Sequence, residues 1–132
     1  MMPTNSRLIL IVEDNKKNLK LVRDVLQFNG FRTLEAETGE AALDLARTQQ
    51  PDLILMDIQL PGIDGVTALQ QLKTEAATAV IPVVALTASA MTSDRNRFLA
   101  AGFDGYITKP ISVKDFPGQV RIHCRERSSQ AS

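Results

Sequence analysis

Cysteine is almost missing from this chain: Cys124 is the only one in 132 residues, so no intramolecular disulfide and no Cys-rich metal knuckle can form, and a reducing compartment is the easier home. Net charge is missing as well. Fifteen Lys and Arg balance fifteen Asp and Glu, which leaves no overall field to hold a nucleic-acid backbone or an anionic bilayer. There is no long hydrophobic run either. Met1 to Arg7 is polar, and the first apolar run, Leu8 to Val12, is far too short for a signal core or a membrane span. These absences disfavour secreted, nucleic-acid-binding and membrane readings and point to a cytoplasmic, soluble chain.

What is present is ordinary for a globular domain. With 44% hydrophobic and 23% charged residues the chain can bury a sizeable core without staples, and its length fits one domain rather than two. The charge is unevenly spread: residues 1–66 hold seven basic and ten acidic side chains, residues 67–132 eight and five. That asymmetry suggests an acidic pocket built by the first half.

Short apolar runs alternate with amphipathic stretches, the pattern of a parallel sheet covered by helices on both faces. The runs are Leu8–Val12, Thr33–Ala36, Leu53–Met56, Val83–Leu86 and Gly105–Ile107, which predicts five strands. Leu19, Val22 and Leu26, joined by Leu21 and Val25, predict a first helix that stops at Asn29-Gly30. Thr38 can cap a second helix through Ala42, Leu45 and Ala46 before Pro51, and Val66, Leu69 and Leu72 mark a third. Thr92 or Ser93 opens a fourth carrying Phe98 and Leu99 and ending at Gly102. The fifth should start at Ser112 with Val113, Phe116, Val120 and Cys124 as its stripe, but Pro117 cannot donate to the carbonyl of Val113. With Gly118 beside it, a distorted or late-starting helix is expected.

In each strong strand the first polar residues follow the apolar run: Glu13-Asp14, Asp57, Thr87 and Thr108-Lys109. They therefore gather at the carboxyl edge of the sheet, where ligands bind in doubly wound folds. Two carboxylates about 4 Å apart repel by roughly 4 kcal/mol at an effective dielectric of 20. Glu13, Asp14 and Asp57 together thus call for a hard divalent cation such as Mg²⁺, with Lys109 as an additional positive charge. A carboxylate in that setting can attack a phosphoryl group while Mg²⁺, Lys109 and the Thr87 hydroxyl neutralise the equatorial oxygens. Asp57 is the natural nucleophile.

The motifs Val12-Glu13-Asp14-Asn15, the run Asp52 to Gly65, Leu86-Thr87-Ala88 and Tyr106-Ile107-Thr108-Lys109-Pro110 resemble the receiver domain of bacterial two-component response regulators, over residues 7–127 with a polar tail at 128–132. Within that family the Pro51 to Pro61 run and the Lys109 to Val113 segment are similar to the single-domain cell-division regulators of the DivK type. The resemblance implies an α/β doubly wound (βα)5 flavodoxin-like sandwich with a five-stranded parallel sheet in the order 2-1-3-4-5. It implies that Asp57 accepts a phosphoryl group from a histidine kinase or histidine phosphotransferase. Glu13, Asp14, Asp57 and the backbone carbonyl of Gln59 would surround Mg²⁺, for which Mn²⁺ can substitute, and Lys109 would hold the phosphoryl oxygen. Thr87 and Tyr106 would be the switch pair that alters the face of helix four, strand five and helix five, where a downstream protein would bind. Such a protein is a phospho-acceptor that assists its own transfer chemistry rather than an enzyme, a monomer or weak dimer, and the DivK-type likeness implies cell-cycle control.

Several residues have plainer readings. A lone strand-end carboxylate is commonly a helix cap, and three at adjacent strand ends reverse that weighting. Thr87 alone would cap a turn, and Tyr106 alone is as readily a core aromatic. Pro110 restricts Lys109 to an extended backbone and admits a cis peptide. His123, among Arg121, Arg125 and Arg127, reads as exposed and without a role, and Cys124 as a small buried hydrophobe. Met91 and Phe98 read as core or output-face residues. An aspartyl-phosphate phosphohydrolase usually has a second acid two residues after its nucleophile, where this chain has Gln59. A flavin carrier needs a Ser/Thr/Gly-rich loop where this chain has Glu-Asp-Asn. A receiver excised from a hybrid kinase or a larger regulator remains an alternative, although the 22 residues after Pro110 leave room only for a helix and a tail.

Overall fold

The computed structural model describes residues 7–58, 65–88 and 92–124. The strands are β1 (Leu8–Val12), β2 (Arg32–Ala36), β3 (Leu53–Asp57), β4 (Val83–Thr87) and β5 (Gly105–Thr108). All neighbours pair in parallel, and the sheet order is β2-β1-β3-β4-β5. That is the order implied by the sequence resemblance. The central strands are buried on both faces, which is why they read as unbroken apolar runs rather than alternating ones.

The alternation reappears once the two faces are separated. Leu10, Val12, Ile54, Met56, Val83 and Ala85 point into one layer, packed with α2 (Gly39–Gln49), α3 (Gly65–Thr74) and α5 (Thr92–Ala101). Ile9, Ile11, Leu53, Leu55, Val84 and Leu86 point into the other, packed with α1 (Lys16–Phe28) and α6 (Phe116–His123). Strand residues of period two therefore fill two cores. α1 begins with the Asn15 side chain accepting from the Asn18 N–H at 3.0 Å and ends where Gly30 takes φ 91°, a left-handed position that glycine occupies without a Cβ clash. In α2 the Thr38 hydroxyl accepts from the Ala41 N–H at 3.1 Å, as its capping role requires.

Several local expectations need correcting. Leu21 is 40% exposed and does not join the buried stripe of α1, and Val113, 59% exposed, lies in the turn before the last helix and not on it. Leu99 is exposed, and Leu45 is only half-buried while Leu43 takes the buried place. Stripes drawn by eye are wider than the arc that the sheet covers. A short helix, α4 (Ala76–Ala79), lies between α3 and β4 and carries too little apolar periodicity to be read from sequence. The last helix does start late: Phe116 is its first residue, with Pro117 in its first turn, where a missing N–H costs nothing. The Ser112 hydroxyl accepts from the Asp115 N–H at 3.3 Å in the turn before it.

His123 is half-buried rather than exposed, with its ring against Gly105 of β5. A Cβ at Gly105 would come within 2.5 Å of the His123 Cε1. The glycine leaves a hollow that the imidazole fills, a tertiary contact with no local signal. Cys124 is buried, and burial pushes its thiol above the usual range even though Arg7 opposes the shift. Met91, Arg125, Arg127 and the tail 128–132 lie outside the described residues. Among the described residues no helix is long and apolar enough to cross a membrane.

Candidate functional site

Strand register delivers the polar residues to one edge. Val12 is level with Met56, so Glu13 and Asp57 leave neighbouring strands at the same height. Asp57 is level with Leu86, and Thr87 with Thr108, so Lys109 emerges beside them. Backbone hydrogen bonds extend the ladder past the strand ends: the Glu13 N–H donates to Ala36 O at 3.0 Å, the Ile58 N–H to Leu86 O at 3.2 Å and the Lys109 N–H to Thr87 O at 2.7 Å. The side chains are thus carried by paired backbone rather than by free loops. The Lys109–Pro110 peptide is cis.

The result is an acidic cleft of about 480 Å³. Glu13 is 1% exposed, Asp57 and Thr87 are buried, and Asp14 is exposed at the rim. Carboxylate oxygens of Glu13, Asp14 and Asp57 all lie within 4.8 Å of one another. Lys109 Nζ donates to Glu13 Oε1 at 2.9 Å and stands 3.3 Å from Asp57 Oδ2. The Asn15 N–H donates to Glu13 Oε2 at 3.2 Å, which fixes the buried carboxylate at the start of α1.

One cation cannot balance this group. Burial disfavours the Glu13 carboxylate, and the hydrogen bond and negative charge of Asp57 add to that effect. Lys109 and the Asn15 N–H only partly compensate, so Glu13 holds its proton more tightly than an ordinary glutamate. Burial works against the charge on Lys109, yet its hydrogen bond to Glu13 and the attraction of Asp57 outweigh it, and the ammonium is held above its usual range. The two directions agree physically, because one lysine is shared by two carboxylates. An all-oxygen donor set with surplus negative charge suits a hard divalent cation that retains some waters. The residues present therefore fit Mg²⁺.

Five residues singled out from sequence, Glu13, Asp14, Asp57, Thr87 and Lys109, line this one cleft. Tyr106 does not line it; it is half-buried and packs against the core layer on the α2, α3 and α5 face. Gln59 lies outside the described residues. Asn15, Asn18 and Arg97 also line the cleft and were missed. Asn15 was legible as a capping residue directly after Glu13-Asp14, whereas Arg97 sits mid-helix and only tertiary packing brings it to the wall.

A family model described as the response regulator receiver domain matches residues 9–121. The chain is 48% identical over 108 residues to the polar-differentiation response regulator DivK of Brucella ovis, a match covering 82% of this chain and 88% of that protein. Among solved structures, it is similar to the receiver domain of sensor histidine kinase PA1611 from Pseudomonas aeruginosa PAO1, which has a magnesium ion coordinated in its active-site cleft. That likeness has 32% identity and a TM-score of 0.82, and covers 89% of this chain and 97% of the other. The Mn²⁺-bound form of response regulator Rcp1 is similar at 32% identity and a TM-score of 0.70, covering 87% and 89% of the two chains.

Proposed function

Because this chain belongs to the response regulator receiver domain family, we propose that Asp57 is its phospho-acceptor, loaded from a phosphohistidine on a histidine kinase or histidine phosphotransferase. The observation that carries this reading is the placement of Lys109 Nζ, 2.9 Å from Glu13 and 3.3 Å from Asp57, beside a third carboxylate at one sheet edge. In the transfer an Asp57 carboxylate oxygen forms a bond to phosphorus as the histidine N–P bond breaks, and the leaving imidazole regains a proton from solvent. Lys109 offsets the charge on the phosphoryl oxygens, and the Thr87 hydroxyl donates to one of them. Glu13, Asp14 and Asp57, together with the Gln59 carbonyl, would hold Mg²⁺ or Mn²⁺. A bound divalent cation supplies positive charge where the transferred group develops negative charge.

The receiver domain spans residues 7–127 in this reading, with a tail at 128–132, and works in the cytoplasm as a phospho-acceptor that assists its own chemistry. The signal leaves as a shifted equilibrium: Thr87 draws toward the phosphoryl group, Tyr106 turns inward behind it, and the surface of α5, β5 and α6 changes its protein partner. The 48% identity to DivK supports a role in cell-division or polar-differentiation control. The likeness to the PA1611 receiver supports a second reading, a receiver that serves within a hybrid histidine kinase.

Intact mass after incubation with a small phosphodonor, with and without Mg²⁺, tests the first reading. A Mg²⁺-dependent phosphoryl adduct that disappears in Asp57→Asn is expected. An adduct that persists in Asp57→Asn, or none under any condition, sinks the assignment.

A further inference from the structure

Arg97 belongs to the wall of the acidic cleft, together with Asp14, Asp57 and Thr87, yet no step of the transfer uses it. It lies on α5, the helix that precedes β5, whose end carries Lys109. Its guanidinium carbon is 5.4 Å from the centre of the Phe98 ring, within the range of a cation–π contact. That ring is a firm support: Phe98 is 2% exposed and meets Phe103 edge-to-face at 6.2 Å. The guanidinium is therefore seated against a fixed ring while the residue stays exposed at the cleft wall, suited to a group that meets its ligand at the cleft mouth.

The charge balance gives it something to do. Glu13, Asp14 and Asp57 carry three negative charges, which Lys109 and a divalent cation would just neutralise. Turning the Asp57 carboxylate into an acyl phosphate adds about one further negative charge at neutral pH. Lys109 is already divided between Glu13 and Asp57 at 2.9 and 3.3 Å, and among the described residues lining the cleft there is no second ammonium to meet the added charge. A guanidinium matches phosphoryl oxygens with two parallel donors, which a single lysine cannot do.

We propose that Arg97 is a phosphate-binding residue of this cleft, its guanidinium donating to phosphoryl oxygens on Asp57 that Lys109 leaves uncovered. The proposal rests on Asp57 being the acceptor. Its consequence is a direct link from the phosphoryl group to α5, separate from any movement of Thr87 or Tyr106.

Titration with beryllofluoride in saturating Mg²⁺, followed by ¹⁹F NMR, tests it on the wild type, Arg97→Ala, Arg97→Lys and Asp57→Asn. Since Arg97 is exposed, its replacement should leave the fold intact. Arg97→Ala is expected to bind beryllofluoride roughly tenfold more weakly, the worth of one charge-assisted contact. Arg97→Lys should recover part of that loss, and the affinity for Mg²⁺ alone should stay within about twofold of wild type. Unchanged beryllofluoride affinity in Arg97→Ala overturns the proposal, and so does an equal loss of Mg²⁺ affinity, which would mean a general field effect. Failure of the wild type to bind, or binding retained in Asp57→Asn, instead overturns the acceptor reading beneath it.

Discussion

Two helical glycines should respond in opposite directions to the same substitution. A Cβ on Gly65 would lie 2.7 Å from the Asp57 carbonyl oxygen, 3.1 Å from Ile58 Cα and 3.3 Å from Ile58 O, about 0.7 Å inside the 3.4 Å at which ordinary contact begins. All three neighbours are backbone and cannot rotate away. Overpacking of this kind costs about 1–3 kcal/mol, and the better helix propensity of alanine returns at most about 1 kcal/mol. Gly65→Ala should therefore be destabilising by about 1–2 kcal/mol, a fall in Tm of roughly 3–10 °C for a chain of this size. Gly118, in α6, has nothing within 4 Å of the position a Cβ would take. Gly118→Ala should accordingly stabilise by about 0.5–1 kcal/mol. Because the backbone that must yield carries Asp57, Gly65→Ala should also slow Mg²⁺-dependent phosphorylation by about tenfold or more, while Gly118→Ala leaves it alone. Thermal unfolding by circular dichroism and the adduct assay read both effects. A Tm for Gly65→Ala that rises as it does for Gly118→Ala would refute the steric reasoning.

Lys109→Met leaves Glu13 and Asp57 facing each other without their shared cation; stability at neutral pH should drop by about 1–3 kcal/mol, discounted for partial solvent access, and urea melts should show Mg²⁺ restoring most of it. Without metal, the folded state keeps a proton on Glu13 that the unfolded chain has already released, so stability should fall as pH rises from the ordinary glutamate range through the raised folded value. With saturating Mg²⁺ the carboxylates must be deprotonated to bind, so the stabilisation by metal should shrink as pH falls; urea midpoints between about pH 4.5 and 7 check both slopes. Thr38→Ala removes the cap on the Ala41 N–H and should cost about 1 kcal/mol in the same melts. Cys124, buried with its thiol held high, should resist a thiol reagent until the protein unfolds, and rapid labelling of the native protein would contradict its placement.

The strands were legible in the order of residues, because residues buried on two faces must be apolar throughout and the polar residue that ends each run must lie at its edge. Leu53–Met56 followed by Asp57 is the clearest instance, and the same logic marked Glu13, Asp14, Thr87 and Lys109. The sheet order came from the family likeness, since nothing in the local pattern tells β1 to lie between β2 and β3. Tertiary structure alone decided which apolar residues face inward: Leu21 and Leu99 have the periodicity of a core stripe but lie beyond the arc that the sheet covers, and Val113 falls in the turn before a helix that starts only at Phe116. It alone seated the His123 ring against Gly105 and brought Arg97 from the middle of α5 to the cleft wall. Contacts of that kind join elements far apart in the chain, and their energy depends on shape and charge assembled from several strands and helices, which no window of neighbouring residues contains.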